Sequence, residues 1–413
     1  MGERITALYA TPDGKIYDAP GIVALGRSGE TWRDLTPEDL IPLPEGADLM
    51  FLPERRAVGR ERAGAFMSLP GQAVSAILPA GYTRIYLPAF QREKRAAVLP
   101  LYGYTAVALY RNQLYAAAIR TDNDDFWNPK HYNIRGLKKR IQQTKAALPG
   151  NRLVEHLARC ALAYHCCTAQ NLFYHRWEAG LPASPVCNAN CLGCISLQPA
   201  ECCPSPQERI KFSPTAEEIA ALGIYHLSSA PEAIVSFGQG CEGEPSLAAD
   251  TVAESIRRIR AQTTAGQINM NSNAGYTMGI KKIVDAGLDS LRVSIISANS
   301  ANYATYYRAQ YTLDAVKASL RYALEKKVYV SLNLLYFPGF NDRADEAAAW
   351  CDFLRELPVQ MIQVRNLNLD PDVFWGSVPH TNDKALGTRR FLRLLQDENP
   401  HLFIGSFSHY REK

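Results

Sequence analysis

The alternation of apolar and polar residues divides the chain into two parts with different predicted architectures. Up to about residue 125, short alternating runs are interrupted by turn residues, as in ITALYATPDGKIYDA, where PDG separates two strand-like runs. YTAVALYRNQLYAAAI repeats this pattern around RNQ, which favours a small, mostly-β domain over residues 1–128. From residue 134 to 178 apolar residues recur at helical spacing instead, as in LVEHLARCALAYHCC, and predict a helical linker over residues 129–180.

Beyond residue 180, short β-like runs alternate with amphipathic helical patterns. The predicted strands are residues 184–187, 233–238, 267–272, 290–296, 328–337 and 359–367. Such alternation predicts parallel β/α units, and six repeats are too few for a closed eight-fold barrel. We therefore expect an α/β fold with a partial (β/α)6 TIM-like barrel over residues 181–380, and a C-terminal helix and strand over residues 381–413 that pack on it. In such folds the chemistry lies at the carboxyl ends of the strands, where the βα loops converge.

Composition narrows the range of functions. No run approaches the roughly 18 consecutive apolar residues of a membrane span. The N-terminus, MGERITALYATPDGKIY, has early charges and no apolar stretch of the kind a signal peptide carries, so we expect a cytoplasmic protein with no membrane partner. In a reducing compartment the 10 cysteines are more often metal ligands than disulfides. The net charge of +4 is too small to indicate a nucleic-acid partner by itself.

One segment departs from this balanced charge. Between Lys130 and Glu178 there are nine Lys or Arg residues and two acidic residues. The segment contains GLKKRIQQTK, which is typical of a basic helix. A solvated surface, or a strap between domains, is the ordinary interpretation of such a run. RNA contact through residues 130–176 is the alternative.

Residues 187–194, CNANCLGC, place three cysteines directly after the first predicted strand. Cys187, Cys191 and Cys194 have the spacing C-x3-C-x2-C, and thiolates are soft ligands suited to zinc, copper(I) or iron–sulfur clusters. Three thiolates on a four-iron cluster leave one iron open to a small chelating molecule. The alternative is a zinc site with Cys202, Cys203 or a histidine as the fourth ligand.

This cysteine motif, at the start of a β/α repeat, resembles that of the radical S-adenosylmethionine (SAM) superfamily over about residues 183 to 370. The resemblance implies a [4Fe–4S] cluster on Cys187, Cys191 and Cys194, with SAM chelating the open iron through its amino and carboxylate groups. It further implies that one electron, from a donor of the flavodoxin or ferredoxin type, cleaves SAM to a 5′-deoxyadenosyl radical that abstracts a substrate hydrogen. The first 180 residues lie outside the resemblance.

The resemblance also implies SAM-binding residues near the ends of the later strands. Gly243, Glu244 and Pro245 resemble the family's GGEP motif, whose backbone receives the methionine amino group; glycine permits close approach and proline fixes the turn. The other candidate SAM-binding residues are Ser272 and Asn273 after the third strand, Ser294 in the fourth, Arg308 beyond it and Asn333 in the fifth. Each has an ordinary alternative as a turn residue, a buried strand residue or an exposed helix residue. Arg365 and Asn366 reach the mouth of the barrel if the register of the sixth strand permits.

Other positions near the motif depart from the family pattern or have alternative roles. Gly193 stands where the family commonly has an aromatic residue that packs on adenine, so that contact must come from elsewhere. Cys241, close before the GEP turn, is a candidate catalytic residue that would donate a hydrogen atom to a substrate radical; a buried thiol is the alternative. Four histidines around the basic helices are expected to be core or surface residues rather than ligands: His131, His156, His165 and His175. The pairs Cys166–Cys167 and Cys202–Cys203 belong either to a second cluster or to free thiols.

Taken together, these patterns predict a radical SAM enzyme that acts on a small molecule or a peptide. Three alternatives stay open at this point. The first is an RNA-modifying radical SAM enzyme that uses residues 130–176, and the second is a non-enzymatic iron–sulfur or zinc protein. The third keeps the fold and the cofactor but takes another protein as substrate, as a maturase does.

Overall fold

A computed structural model of the chain describes residues 4–61, 64–133, 135–198 and 205–412. The first part of the described chain is an antiparallel sheet with the strand order β3-β2-β5-β6-β1-β10-β11-β4, to which β7, β8 and β9 add at β11, β2 and β5. Its strands are β1 (Thr6–Ala10), β2 (Ile16–Ser28), β3 (Thr31–Asp34), β4 (Leu40–Pro42), β5 (Asp48–Glu61), β6 (Phe66–Ile77), β7 (Tyr82–Arg84), β8 (Leu87–Pro88), β9 (Phe90–Arg92), β10 (Thr105–Tyr110) and β11 (Gln113–Arg120). Both predicted hairpins are confirmed, since Tyr9 pairs with Tyr17 and Tyr110 pairs with Gln113.

Three helices follow the antiparallel sheet: α1 (Leu137–Ala147), α2 (Arg152–Ala163) and α3 (Cys167–Tyr174). The Asn151 side chain caps the start of α2 by accepting a hydrogen bond from the N–H of Leu153 at 3.0 Å. The Asn151 amide also donates to the carbonyl of Glu218 at 2.8 Å. The cap therefore fixes both the start of α2 and its position against the next part of the chain.

The remaining chain forms a parallel sheet with the order β12-β13-β14-β15-β16-β17-β18 and helices between its strands. The strands are β12 (Glu178–Gly180), β13 (Ile234–Phe237), β14 (Gln267–Ser272), β15 (Ser290–Ile295), β16 (Tyr329–Tyr336), β17 (Met361–Asn366) and β18 (Phe403–Gly405). The helices are α4 (Ala216–Leu227), α5 (Ala249–Gln262), α6 (Thr277–Asp285), α7 (Ser300–Tyr307), α8 (Leu313–Glu325), α9 (Ala344–Glu356), α10 (Pro371–Trp375) and α11 (Thr388–Glu398). The predicted α/β class, a mostly-β region followed by a parallel β/α core, is confirmed.

The first strand of the parallel sheet lies earlier than predicted. Residues 184–187 have no strand structure, and β12 occupies Glu178–Gly180 instead. Pro182 and Pro185 explain the difference, because proline has no N–H to donate to a sheet. The segment after β12 therefore leaves the sheet and carries Cys187 beyond the strand end.

The sheet has a polar inner face and an apolar outer face. Along β15, Leu291, Val293 and Ile295 are fully buried, whereas the alternating polar residues point inward. One of these, Arg292, donates to Asn271 on β14 and at 3.0 Å to Gln363 on β17. The inner face of the sheet thus presents hydrogen-bonding side chains.

The N-terminal sheet packs on the loops that follow β16 and β17. Arg55 forms a fully buried ion pair with Asp370 at 2.9 Å, and Arg27 pairs with Asp372 at 2.6 Å. The N–H of Gly29 donates to the carbonyl of Pro338 at 3.0 Å. These contacts place the N-terminal sheet beside the carboxyl-terminal end of the barrel, where the loops converge.

Candidate active site

Cys187, Cys191 and Cys194 lie on a loop that hydrogen bonds to the end of α7. The N–H groups of Asn190 and Leu192 donate to the carbonyls of Tyr307 and Tyr306, each at 3.0 Å. All three cysteines carry free thiols. The backbone of the loop is therefore held by a tertiary contact that does not involve the thiols, which leaves the sulfur atoms available as ligands.

Gly193 makes room for an aromatic residue at this loop. A β-carbon at Gly193 would lie 3.0 Å from the hydroxyl oxygen of Tyr306, tighter than ordinary van der Waals contact. The residue expected from the resemblance, an aromatic side chain at this position, would clash with Tyr306. The aromatic rings near the loop that carries the three cysteines come instead from Tyr306 and Tyr307 on α7.

The GEP turn is bonded to the segment that leads into the cysteine loop. The N–H of Gly243 donates to the carbonyl of Ser184 at 2.7 Å, and the N–H of Glu244 donates to the carbonyl of Val186 at 2.8 Å. A β-carbon at Gly243 would lie 2.0 Å from the Val186 oxygen, so only glycine fits here. Pro245 begins the short 3-10 helix Pro245–Ala248 that ends the turn.

Glu244 joins this turn to the end of β14. Its buried carboxylate accepts hydrogen bonds from the Ser246 N–H at 3.0 Å, the Ser272 hydroxyl at 2.6 Å and the Asn273 N–H at 2.8 Å. Burial raises the pKa of Glu244, although these donors act in the opposite direction. The amide of Asn273 in turn donates to Asn188 in the cysteine loop at 2.7 Å. One carboxylate thus fixes two loops relative to the cysteines.

A cavity of about 300 Å³ opens between these loops and the carboxyl ends of the strands. The three cysteines line it, and so do six of the predicted SAM-binding residues: Gly243, Glu244, Ser272, Asn273, Ser294 and Asn333. The Asn333 amide lies 3.4 Å from the Ser294 hydroxyl, since β15 and β16 pair these residues directly. Arg365 lines the same cavity, so the register of β17 turns it inward.

Among the predicted SAM-binding residues, Pro245 does not line the cavity but begins the 3-10 helix beside it. Two further predicted site residues lie elsewhere. Arg308 is exposed at the C-cap of α7, where its left-handed backbone (φ 48°) turns the chain outward, and it does not line the cavity. Cys241 is buried behind the cavity, which its neighbours Gly240 and Glu242 line. Its thiol faces Cys160 and His156 on α2. In this structure neither residue is positioned for the role expected of it.

Sequence reasoning did not single out several other lining residues. Arg209 donates to the sulfur of Cys194 at 3.7 Å and to the Ser196 hydroxyl at 3.2 Å. Tyr307 lines the cavity, and among the described residues its buried hydroxyl has no hydrogen-bond partner. Arg292 lies deeper, 3.7 Å from the carboxylate of Glu178. The polar–apolar alternation of β15 would have predicted that Arg292 faces the interior.

The donors at this site fit an iron–sulfur cluster with a bound polar ligand. Burial raises the pKa of Cys187 and Cys191, and a bound metal cation favours the thiolate form that ligates it. The Arg209 guanidinium adds positive charge beside Cys194. The unpaired hydroxyl of Tyr307 and the inward arginines leave polar groups for a ligand to satisfy.

Of the four cysteines considered for a second cluster, the structure describes Cys166 and Cys167. Cys166 is the N-cap residue of α3, and Cys167 is the first residue of that helix; both carry free thiols. Cys202 and Cys203, the other two candidates for a second cluster, lie outside the described residues. In the described part of the chain, no helix is both long and apolar enough to cross a membrane.

A family model and a curated relative match parts of this chain. Residues 181–351 match the family model of the Radical SAM superfamily. A dual-specificity RNA methyltransferase, RlmN of Magnetococcus marinus, is 26% identical over 136 residues. That match covers 32% of this chain and 34% of the relative, so the chain spans about a third of the length of this curated protein.

Solved structures of low similarity include three radical SAM proteins. A radical SAM methyltransferase from Sphaerobacter thermophilus is 16% identical with a TM-score of 0.40, covering 57% of this chain and 67% of its own. The FeFe-hydrogenase maturase HydG from Carboxydothermus hydrogenoformans is 16% identical with a TM-score of 0.37, covering 68% and 79%. Streptococcus suis SuiB bound to S-adenosylmethionine is 12% identical with a TM-score of 0.39, covering 67% and 62%. Residues 181–351 therefore carry a Radical SAM superfamily domain, the kind of domain that uses a [4Fe–4S] cluster and SAM.

Proposed function

We propose that this protein is a radical SAM enzyme that abstracts hydrogen from a small-molecule or peptide substrate. The observation that carries the proposal is the single cavity in which three free thiols meet the GEP turn and the ends of β14 to β16. When bound, the cluster and SAM supply a 5′-deoxyadenosyl radical as the hydrogen-abstracting group. The chain's own residues bind, orient and enclose these groups.

In this proposal each part of the cavity has one task. Cys187, Cys191 and Cys194 hold three irons and leave the fourth to SAM. The backbone of the GEP turn, fixed by Glu244, offers polar groups to the methionine part of SAM. The part of the cavity beside the ends of β14 to β16 is lined by Ser272, Asn273, Ser294 and Asn333. These are the positions from which side chains can hydrogen bond a ribose or an adenine.

Positive charge inside the barrel favours an anionic group in the bound molecules. Arg365 and Arg292 both line the cavity, and the carboxylate of Glu178 lies beside Arg292. Among the described contacts, Arg365 donates to one backbone carbonyl, that of Ser406, at 2.8 Å. Its remaining N–H groups suit a carboxylate, either that of SAM or that of an acidic substrate.

The N-terminal sheet is proposed to close the substrate side of the cavity. It packs on the loops after β16 and β17 through the buried Arg55–Asp370 pair and through Arg84, which donates to the carbonyl of Leu367. An enclosed site protects a reactive radical from solvent and side reactions. A metabolite or the side chain of an extended peptide fits such a site more readily than a folded nucleic acid does.

RNA modification is the second candidate, because the curated relative is named as an RNA methyltransferase and because residues 130–176 are basic. Ion pairs neutralise much of that charge: Lys145 pairs with Glu155, and Arg152 with Glu218, both at 2.6 Å. Exposed positive charge remains at Arg135, Lys138 and Lys139, around the start of α1. This small patch favours a local contact over a long RNA track.

The first experiment tests the reaction class. Purified protein is reconstituted anaerobically with iron and sulfide, then incubated with SAM and dithionite. We expect about four irons and a brown colour from the three-cysteine loop, and release of 5′-deoxyadenosine. A reconstituted protein that stays colourless, with zinc bound by Cys187, Cys191 and Cys194, would contradict the proposal.

The second experiment separates the two substrate classes. Binding of total cellular RNA is measured over a range of salt concentrations with the wild type and with Lys138→Glu/Lys139→Glu. RNA binding that weakens steeply with salt and in the variant would favour the RNA-modifying candidate. Weak, variant-insensitive binding would favour the small-molecule or peptide substrate.

Physiological electron supply is proposed to come from a flavodoxin or ferredoxin in the cytoplasm, and each can replace dithionite in the assay.

A further inference from the structure

A second group of metal-ligating side chains lies behind the cavity, outside the proposed active site. Potential ligand atoms of His156, Cys160 and Cys241 all lie within 4.8 Å of one another. The Cys160 sulfur is 3.8 Å from Nε2 of His156. In a tetrahedral zinc site with bonds of about 2.0–2.3 Å, neighbouring ligand atoms are roughly 3.3–3.8 Å apart, so small side-chain rotations bring all three onto one ion.

Two independent parts of the chain build this group. His156 and Cys160 are four residues apart on α2, which places both on the same face of the helix. Cys241 comes from the loop after β13, and its carbonyl accepts a hydrogen bond from the N–H of Ile210 at 2.8 Å. Helix geometry brings His156 and Cys160 together, whereas Cys241 joins them only because the fold packs the β13 loop against α2.

The surroundings suit a structural ion more than an exposed reactive thiol. Cys160 and Cys241 are 1% and 2% exposed, and His156 is partly exposed, which leaves an entry path to solvent. Cys166 lies next to the group, with its N–H donating to the carbonyl of Cys160 at 3.1 Å. Two buried thiols with one imidazole match a zinc site in ligand type, with a fourth position for Cys166 or water.

We propose that His156, Cys160 and Cys241 bind a zinc ion that anchors α2 to the loop carrying the GEP turn. Cys241 is two residues before Gly243, so an ion held there restrains the backbone whose N–H groups bond the segment leading into the cysteine loop. This gives Cys241 a structural role in place of hydrogen-atom donation. The proposal stands apart from the proposed function, because it concerns ligands that do not line the cavity.

The test begins with removal of the other metal site. The full-length variant Cys187→Ala/Cys191→Ala/Cys194→Ala lacks the three cluster ligands, so cluster absorption does not obscure other metals. It is prepared anaerobically, stripped with a chelator and titrated with Zn²⁺ or with Co²⁺ as a spectroscopic probe. We expect one tightly bound equivalent of metal and, with Co²⁺, thiolate-to-metal charge-transfer absorption of tetrahedral type.

Further substitutions in that background assign the ligands. Cys160→Ser, Cys241→Ser and His156→Ala should each weaken binding at least tenfold, and the serine variants should reduce the charge-transfer band. Cys351→Ala is the matched control, since Cys351 is a buried free thiol on α9, and it should retain the full equivalent. Circular dichroism distinguishes a folded variant without metal from an unfolded one, and His156→Gln provides a milder change at the same position.

Several results would overturn the zinc site. These are no metal binding in the folded triple variant, metal binding unaffected by the three ligand substitutions, a Cys160–Cys241 disulfide in anaerobically prepared protein, or an iron–sulfur cluster in place of a single ion. If no zinc binds at His156, Cys160 and Cys241 but the wild type releases 5′-deoxyadenosine normally, the zinc site is refuted and the proposed function stands. Loss of 5′-deoxyadenosine release with an intact zinc site would refute the proposed function alone.

Discussion

The two ends of the parallel sheet share one polar interior but differ in the segments that surround them. At the carboxyl end, the loops after the strands surround an open cavity lined by the three cysteines. At the amino end, residues of the C-terminal segment lie across a second cavity of about 270 Å³ and help to line it. There Arg411 lies 3.8 Å over the ring of Tyr329, and its carbonyl accepts a hydrogen bond from Gln267 at 3.0 Å.

This difference follows from how a parallel sheet is connected. Each strand must pass into a helix at its carboxyl end, so several loops meet there and can bring ligands from distant parts of the chain. At the amino end one C-terminal tail, bonded through His409 to Asp122 in the segment after β11, lies across the interior. We therefore expect substitutions at the carboxyl end to change the chemistry and substitutions at the amino end to change stability.

The largest effect is expected for the cluster ligands. Replacing Cys187, Cys191 or Cys194 singly with alanine should remove one of three thiolates and reduce 5′-deoxyadenosine release below detection. Iron content and visible absorption after anaerobic reconstitution measure the loss of the cluster. The control is Cys351→Ala, which removes a buried thiol remote from the cavity lining; wild-type turnover in any of the three ligand variants would refute the assignment.

A smaller but still large effect is expected for Gly243→Ala. Its new β-carbon would lie 2.0 Å from the Val186 oxygen, so the turn must move and the two hydrogen bonds to the cysteine segment weaken. We expect SAM affinity to fall by about tenfold, which corresponds to roughly 1.4 kcal/mol, with the cluster retained. Equilibrium binding of SAM to the reconstituted protein measures it.

Gly376→Ala is the matched control for that substitution. Gly376 has a helical backbone, and its added β-carbon would meet only the Asp372 oxygen, at 3.1 Å. It should leave SAM affinity within about twofold of the wild type. Equal losses of affinity in both variants would mean that the GEP turn has no special part in binding SAM.

Glu244→Gln tests whether the carboxylate positions the loops at the carboxyl end. Glutamine keeps the size of the side chain but presents an amide NH₂ to donors that now bond a carboxylate, and an unsatisfied buried donor costs roughly 1–3 kcal/mol. We expect a several-fold rise in the KM for SAM, a smaller change in kcat and a lower Tm. Glu254→Gln, on the exposed face of α5, is the control; a fall in Tm without a change in KM would leave Glu244 a purely structural residue.

The parts of the site that follow from local pattern were predictable from the sequence. The cysteine spacing lies within eight residues, and the rule that parallel strands end at one edge is enough to bring Ser272 and Asn273 near Gly243. The inward position of Asn333 follows from period-two alternation once the strand is located. The position of β12 was less predictable, because the strand was predicted at residues 184–187, where Pro185 in fact helps to keep the chain out of the sheet.

The residues that sequence reasoning missed or misplaced depend on tertiary contacts. Tyr307 reaches the cavity because the end of α7 bonds to the cysteine loop, and Arg209 because the segment before α4 folds back over Cys194. Cys241 shows the opposite error: it is adjacent in sequence to lining residues, yet its side chain points to α2. Proximity along a loop does not decide which side of the loop a side chain occupies.

The smallest effect is expected at the amino end, for His409→Ala. His409 bonds the buried carboxylate of Asp122 at 2.8 Å, and Asp122 also accepts from the Ser406 N–H at 2.9 Å. The Asp122 hydrogen bond and charge, with Asp124 nearby, raise the pKa of His409 despite its partial burial. Burial alone would raise the pKa of Asp122, but the bonds from His409 and Ser406 lower it.

The sign of the pH dependence follows from these two shifts. The His409 contribution to stability is fully present below its ordinary pKa of 6.5 and is lost as pH rises through the raised value. The Asp122 contribution is present above its ordinary pKa of 3.8 and is lost as pH falls through the lowered value. The difference in Tm between wild type and His409→Ala should therefore be largest between pH 3.8 and 6.5, and should shrink as pH rises through the raised pKa of His409.

Thermal unfolding of both proteins across this pH range, with the exposed His401→Ala as control, measures the effect. We expect a Tm difference of a few degrees, because one partly exposed pair contributes on the order of 1 kcal/mol or less. Release of 5′-deoxyadenosine by His409→Ala should stay near the wild-type rate. A folded His409→Ala protein that binds SAM but releases none would show that the amino end takes part in the chemistry, and the distinction between the two ends of the sheet would fail.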